Sequence, residues 1–548
     1  MVDSLRILPN ELITNILAAL HYRDLASCTQ VCRRMADIIR DSVLLQYHLE
    51  LGRCGMNDGP LSTLSILERR ERLLAHNDAW KSLRWSACLN VLNFPDHGYY
   101  EANIAPGGIL TFVSSRERRI IFVQIPSNLR GIPMRQWELS LSFVPHAPCA
   151  LDLSEDILVV SQQNEFNLHF LSLSTGKPHP LAADPPLYDP LPPFHQITHV
   201  RISLAQNHVA MLIRDRKLRV WDWKTGQILL DVASENAQSI SFIPENRILL
   251  ATACADDFAA EANTNGLGKC PALVMYSLDQ LSALQRQGAA ARPIAVFALE
   301  FGYDIIPVHL ALHYHLNIHP YPHEVAVPFF SAPTDHLIAL QVTGMLADDR
   351  SIVLGHVLLI PLVGLTSHIG STTVTDAPTR YIPWNNWGSI DVRRVPDPTL
   401  SGYFRHALAG SQFIPRPETR DFVGVVDVWD FSRTGVALEP QQCDRESLPC
   451  VQKQLVLPSQ IEERIVAMIS EDAIVIREAR SVYLRHMVQL TRAHRDAISS
   501  SSVEQGQLAG AYPHVELLGW QSKASDTPGG DLHWGSERGA GRCNHLYS

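Results

Sequence analysis

Three absences narrow this chain of 548 residues before any motif is read. No stretch stays apolar for the roughly 18 residues that a membrane span requires. No surplus of positive charge exists: 46 Lys and Arg face 56 Asp and Glu, a formal net charge of -10. General nucleic-acid binding relies on clustered cations and is disfavoured. No dense cysteine framework is present either, because the ten cysteines are scattered over the length. The first apolar run is interrupted by Asn10, Glu11 and Asn15 and is followed by a basic segment, so it does not read as a secretion signal. The cysteines then read as reduced, mostly buried thiols, and the expected setting is the cytoplasm or the nucleus. Neither nucleic acid nor membrane is expected as a partner.

The chain is 46% hydrophobic and 19% charged, which is ordinary for a globular protein. Its length calls for more than one domain. The first is marked by "LPNELITNILAALHYRDLASCTQVCRRM", Leu8 to Met35. Pro9 suits the first turn of a helix, and Glu11 sets negative charge at its positive end. Leu12, Ile13, Ile16, Leu17 and Leu20 then recur at helical spacing. His21, Tyr22 and Arg23 break the pattern, and Asp24 is an N-cap candidate for a second helix faced by Leu25, Cys28, Val31, Cys32 and Met35. A third helix is expected over about 36–51. So small a unit has too much surface to bury all these side chains alone. Either the rest of the chain or a bound partner must cover them.

The order of residues resembles the F-box motif: Leu8-Pro9, Glu11-Leu12, Ile16-Leu17 with Leu20, Asp24-Leu25, then Cys28, Val31, Cys32, Arg33, Arg34 and Met35. Met35 stands where the family often has Trp. The match spans about a tenth of the chain. It implies a helical domain, over 4–51, that docks on the small adaptor subunit of a cullin-based, SCF-type ubiquitin ligase. The implied contact residues are Leu8, Pro9, Leu12, Ile16, Leu17, Leu20, Leu25, Cys28, Val31, Cys32 and Met35. Residues 52–86 read as a helical connector, a stiff spacer in which Leu64, Leu67, Leu74 and Trp80 alternate with charge. Helices leading into an aromatic-rich β region also recur in fungal F-box proteins, which the chain resembles overall.

From about residue 87 to 492 short β-prone runs alternate with turns, as in a sandwich, barrel or propeller. Repeats favour the last. "HVAMLIRDRKLRVWDWKTGQILL", His208 to Leu230, reads strand, turn, strand ending in Trp221-Asp222, Thr225-Gly226 turn, strand. Phe170 with Thr175-Gly176, and Trp429-Asp430 with Thr434-Gly435, repeat the theme. Gly after Thr supplies the positive φ of a tight hairpin. The two Trp-Asp pairs resemble the WD dipeptide of propeller blades. The expected fold is therefore multidomain: an all-α front end, then an all-β, degenerate propeller of about seven blades with long insertions at 177–196, 255–271 and about 376–400. Ser, Gly and charge dominate 493–548, an expected disordered tail.

Catalytic signals are weak. Cys28 and Cys32 lack a second zinc-site pair, and apolar packing is the better reading. His309, His313, His315, His319 and His323 form a His-rich run, with His313 and His315 on one strand face, but ordinary surface or hydrogen-bonded histidines explain it better than a metal. Gly266 to Lys269 lacks the strand and spacing of a phosphate loop, and no Gly-x-Ser-x-Gly elbow occurs. No cofactor is expected. Arg116, Arg214, Arg216 and Arg393 are candidate contacts to an acidic or phosphorylated client peptide, were they to converge. Charge that keeps strand edges soluble is the plainer account. The sequence thus reads as a non-catalytic receptor that grips the ligase adaptor with its helices and an unidentified client with its propeller. A propeller scaffold without a degradative role is the alternative, and a metal-dependent propeller hydrolase is a distant third.

Overall fold

The computed structural model describes residues 8–59, 62–83, 88–93, 101–162, 167–183, 200–213, 217–233, 236–254, 270–286, 291–301, 305–314, 326–346, 353–369, 379–396, 408–415, 425–432, 450–456, 466–477 and 481–486. The first four helices among the described residues are α1 (Asn10–Ala18), α2 (Tyr22–Cys28), α3 (Arg33–Asp41) and α4 (Val43–Cys54). Pro9 is the N-cap of α1, with Glu11 in its first turn. The α2 helix starts earlier than Asp24, because the His21 side chain caps it by accepting from the Arg23 N–H. The single third helix expected over 36–51 is two helices. Ser42 takes an extended backbone, and its hydroxyl accepts the Leu45 N–H at 3.4 Å to cap α4. Gly55 ends α4 in the left-handed conformation, φ 64°. A fifth helix, α5 (Ile66–Ser82), begins in a capping box between Ser65 and Glu68.

Among the described residues seven sheets of three to five strands follow, mostly antiparallel, which we number as blades. Blade 1 runs from Glu101 to Ser140 and blade 2 from Pro145 to Ser172; blade 3 runs from Val200 to Ala233. Blade 4 is built on Ala237–Ile243, Arg247–Thr252, Ala272–Ser277 and Ala295–Ala298, with Arg380–Ile382 added in parallel. Blade 5 uses Ile305–His313, Leu337–Leu346, Val353–Pro361 and Arg393–Pro396. Blade 6 uses Leu408–Ala409, Gln412–Phe413, Val425–Asp430 and Val451–Val456. Blade 7 takes three strands from the far end of the chain, Val466–Ile469, Ala473–Arg477 and Ser481–His486. Its outer strand is Cys88–Asn93, from before blade 1. That pairing joins the two ends of the β region, so the ring closes by backbone hydrogen bonds.

Apolar side chains close the same ring. Phe122 and Leu139 of blade 1 meet Leu151 and Leu158 of blade 2. Val159 and Phe170 meet Met211 and Trp221 of blade 3. Leu212 and Val220 meet Phe242 and Leu250 of blade 4, and Leu273 and Phe297 meet Leu310 and Leu358 of blade 5. Val357, Phe413, Val428 and Ile474 join blades 5, 6 and 7. Met468 and Val475 of blade 7 return to Phe112 and Val123 of blade 1. The inner strands of the blades are buried on both faces, so the polar alternation of a one-sided sheet disappears there: Ile109–Ser114 is buried at every position. Among the described residues this is a β-propeller of seven blades.

The Trp-Asp and Thr-Gly residues act at turns. Asp222 Oδ1 accepts the N–H groups of Lys224 at 2.9 Å and Thr225 at 3.1 Å, and Gly226 sits at φ 73°. Asp430 Oδ1 accepts the Ser432 N–H at 2.9 Å in the same way. Gly176 takes φ 70° and donates to the Ser172 carbonyl at 2.8 Å. The Thr434-Gly435 turn, the insertion at 255–269 and the tail at 493–548 lie outside the described residues.

Candidate adaptor interface

The helical front end has its own small core. Ile13, Leu17, Leu25, Ile38, Ile39, Leu45 and Leu49 are buried together, with Leu8, Leu20, Cys28 and Met35 half-buried around them. Two residues implied as adaptor contacts, Leu17 and Leu25, therefore hold the helices to one another, at 3% and 0% exposure. Helical spacing alone marks a wide apolar stripe but does not divide it between inside and outside.

The remainder of the stripe faces outward. Leu12 and Ile16, one turn apart on α1, are 49% and 51% exposed, and Val31 is 71% exposed. Pro9 and Cys32 are exposed beside them in sequence. Arg34 fixes the α2–α3 turn to the start of α1: its Nη2 donates to the Leu8 carbonyl at 2.6 Å and to Asn10 Oδ1 at 2.8 Å. The turn that carries Val31 is thereby tied to the end of the helix that carries Leu12. Val43 and Leu44, at 40% and 37% exposure, add apolar surface at the start of α4. They follow directly on the break at Ser42, which starts a new helix there.

The opposite side of the front end is joined to the propeller. Met56–Asp58 pairs antiparallel with Phe329–Ser331. The Tyr47 hydroxyl lies 2.9 Å from Asp58 Oδ1 and 3.0 Å from the Pro328 carbonyl, and burial and Asp58 hold the phenol well above its ordinary range. The expected spacer helix α5 lies against the ring: Ala79 and Trp80 enter the core of blades 5 to 7, and Trp80 Nε1 donates to the Glu471 carbonyl at 3.0 Å. Beneath it, Arg130 Nε donates to Asp472 Oδ1 at 3.0 Å and Arg130 Nη1 to Glu471 Oε2 at 2.5 Å. The Ser127 hydroxyl donates to the same Asp472 oxygen at 2.9 Å, and His76 Nε2 stands 3.4 Å from it. Burial raises the Asp472 carboxyl, but Arg130 and His76 outweigh it and hold the group at about 2. This cluster links α5, blade 1 and blade 7. Nothing in the sequence spacing announces it, since Asp472 lies 342 residues from Arg130 and farther still from His76.

Of the candidate client arginines, Arg116 and Arg393 are described, in blades 1 and 5. Arg116 is exposed in the hairpin between the second and third strands of blade 1. Arg393, on the outer strand of blade 5, lies 4.9 Å from the Trp429 ring centre and donates to Cys450 Sγ at 3.0 Å. It is thus engaged between blades 5 and 6. Arg214 and Arg216 lie outside the described residues. Of the histidine run, His309 and His313 lie on the innermost strand of blade 5, and His315, His319 and His323 are outside the described residues. Among the described residues no group of three or more His, Cys, Asp and Glu side chains is placed to hold a metal.

Residues 5–50 match the F-box-like family model. The helical front end is an F-box-like domain. No curated protein sequence matches the chain. Among solved structures, KlHsv2 with loop 6CD replaced by a Gly-Ser linker is 10% identical, over 49% of this chain and 68% of that one, at a TM-score of 0.26. BamB from Moraxella catarrhalis is 9% identical, over 75% of this chain and 99% of that one, at a TM-score of 0.33. The propeller assignment rests on the sheet order and the ring of apolar interfaces. Against the F-box-like match, the half-exposed Leu12 and Ile16 form the apolar ridge on α1 that the domain's own core leaves uncovered.

Proposed function

We propose that this chain is the substrate receptor of an SCF-type, cullin-based ubiquitin ligase, working in the cytoplasm or the nucleus. The F-box-like domain grips the small adaptor subunit, and the propeller holds a client protein near a ubiquitin-charged enzyme carried elsewhere in the complex. The chain itself performs no chemistry. Its contribution is effective concentration. The observation that carries this reading is the exposed Leu12, Ile16 and Val31 on a domain that matches the F-box-like model.

The rigid joint to the propeller supports the same role. Strand pairing, Tyr47 and α5 fix the distance between adaptor and client, as a receptor that presents lysines to a distant enzyme requires. Covering a half-exposed Leu or Ile contributes roughly 1 kcal/mol each at about 25 cal/mol per Å². Replacing both with Asp also places charge in an apolar contact. Co-purification of the chain with the adaptor is therefore expected to fall at least about 100-fold in Leu12→Asp, Ile16→Asp, a loss of roughly 3 kcal/mol. Undiminished retention of the adaptor by a folded double variant overturns the reading.

A further inference from the structure

A cavity of about 600 Å³ lies where α4 and α5 meet blades 5, 6 and 7. Its volume is within the range of small-molecule sites, which favour junctions between structural units. The apolar part of its wall includes Trp80 from α5, Phe431 from the end of blade 6 and Val363 from the helix Leu362–Ser367. Two aromatic side chains and an aliphatic one suit a flat hydrocarbon body. The polar part of the wall decides what else the occupant must carry.

The ionisable groups of the wall have both signs and are engaged. Asp430 pairs with Lys453 at 3.0 Å, Glu471 with Arg130 at 2.5 Å and Arg53 with Glu50 at 3.2 Å. His76 Nε2 lies 3.2 Å from the Glu471 carbonyl oxygen. Asp335 and His336 are engaged as well. A charged ligand would give up its hydration on entering and meet only groups that already have partners. The uncharged polar groups differ. Asn77 from α5, Gln412 from blade 6 and Ser331 from the strand paired with Met56–Asp58 all line the cavity, and none of their side chains hydrogen-bonds among the described residues. Ser331 is only 8% exposed. Polar groups in such settings ordinarily have partners. Two carboxamides and a hydroxyl offer donors and acceptors without charge.

We propose that this junction cavity binds a small uncharged aromatic molecule that carries a carboxamide or a similar donor and acceptor group. Its ring lies against Trp80 and Phe431, and its polar group hydrogen-bonds among Asn77, Gln412 and Ser331. Such a ligand touches the helical front end and the propeller at once, so by mass action it favours the joined arrangement of the two. The site is separate from the Leu12 and Ile16 ridge and does not depend on the receptor reading.

The test uses the full-length chain with 4-phenylbutyramide as probe, and with 4-phenylbutyrate and 4-phenylbutylamine as its anionic and cationic counterparts. All three are followed by isothermal titration calorimetry. The amide is expected to bind at least tenfold more tightly than either charged compound. Asn77→Ala, Gln412→Ala should weaken the amide about tenfold through the lost hydrogen bonds. Val363→Trp, at a position 45% exposed and thus tolerant of bulk, should weaken it tenfold or more by filling the cavity. The comparison of the three compounds on the parent chain stands whether or not a variant folds. No heat from the amide at millimolar concentration, or an acid or amine that binds as tightly as the amide, overturns the proposal. So does amide binding undisturbed in a folded Val363→Trp or a folded Asn77→Ala, Gln412→Ala.

Discussion

Replacing Asp472 by Asn tests the physical core of this architecture. Asp472 is 4% exposed and is held by Arg130, which is 3% exposed, beneath α5. Its carboxyl sits at about 2 instead of the ordinary 3.8. At about 1.4 kcal/mol per pKa unit the ionised group stabilises the folded state by about 2 kcal/mol. Because the folded value is the lower one, this stabilisation is fully present above the ordinary carboxylate range and is lost as the pH falls toward 2, with about 1 kcal/mol gone by pH 3. The Asn variant also removes one of the two carboxylates that pair with the buried Arg130 among the described residues. Breaking a buried pair in this way costs roughly 3–5 kcal/mol. The low end applies, since Glu471 remains at 2.5 Å. The assay is urea unfolding of the full chain, followed by tryptophan fluorescence, at pH 7 and at pH 3. We expect the variant to be about 3 kcal/mol less stable at pH 7, with a gap about 1 kcal/mol smaller at pH 3. A variant within about 0.5 kcal/mol of the parent at pH 7 would falsify the view that this cluster fastens α5 and the closing blade.

Gly59→Ala should free the helical front end from the ring, because a Cβ there would lie 1.7 Å from the Val327 carbonyl oxygen, a backbone atom. Amide exchange at Asn57 and Phe330, which pair across the joint, is expected to accelerate at least tenfold while exchange in blade 3 stays unchanged. Tyr314→Phe should leave stability equal or raise it by about 1 kcal/mol, measured by chemical denaturation. The Tyr314 hydroxyl is buried with no hydrogen-bond partner among the described residues, and the ring packs with Leu310 and Ile338. Ser65→Ala should lower stability by about 1 kcal/mol in the same assay through loss of the capping box that starts α5, and Ser65→Asp should restore most of it.

The amino-acid sequence by itself determined which elements form. Helical spacing from Leu12 to Leu20 and the Leu-Pro, Asp-Leu and Cys-Arg-Arg series marked the F-box-like helices, because local periodicity and ordered motifs are written in neighbouring residues. Trp221-Asp222 and the Thr-Gly turns marked the blades for the same reason: a turn needs its carboxylate and its glycine within a few residues of each other. Tertiary structure alone decided which apolar residues are used up internally. Leu17 and Leu25 turn inward and Leu12, Ile16 and Val31 outward, although all five belong to the apolar faces expected of the first two helices. It alone decided the partners of Arg393 and the gathering of His76, Arg130 and Asp472. Those choices depend on the closure of a ring by strands almost 400 residues apart, Cys88–Asn93 against Ser481–His486. No local pattern encodes which distant segment will lie alongside, because that is settled by the packing of seven sheets against one another.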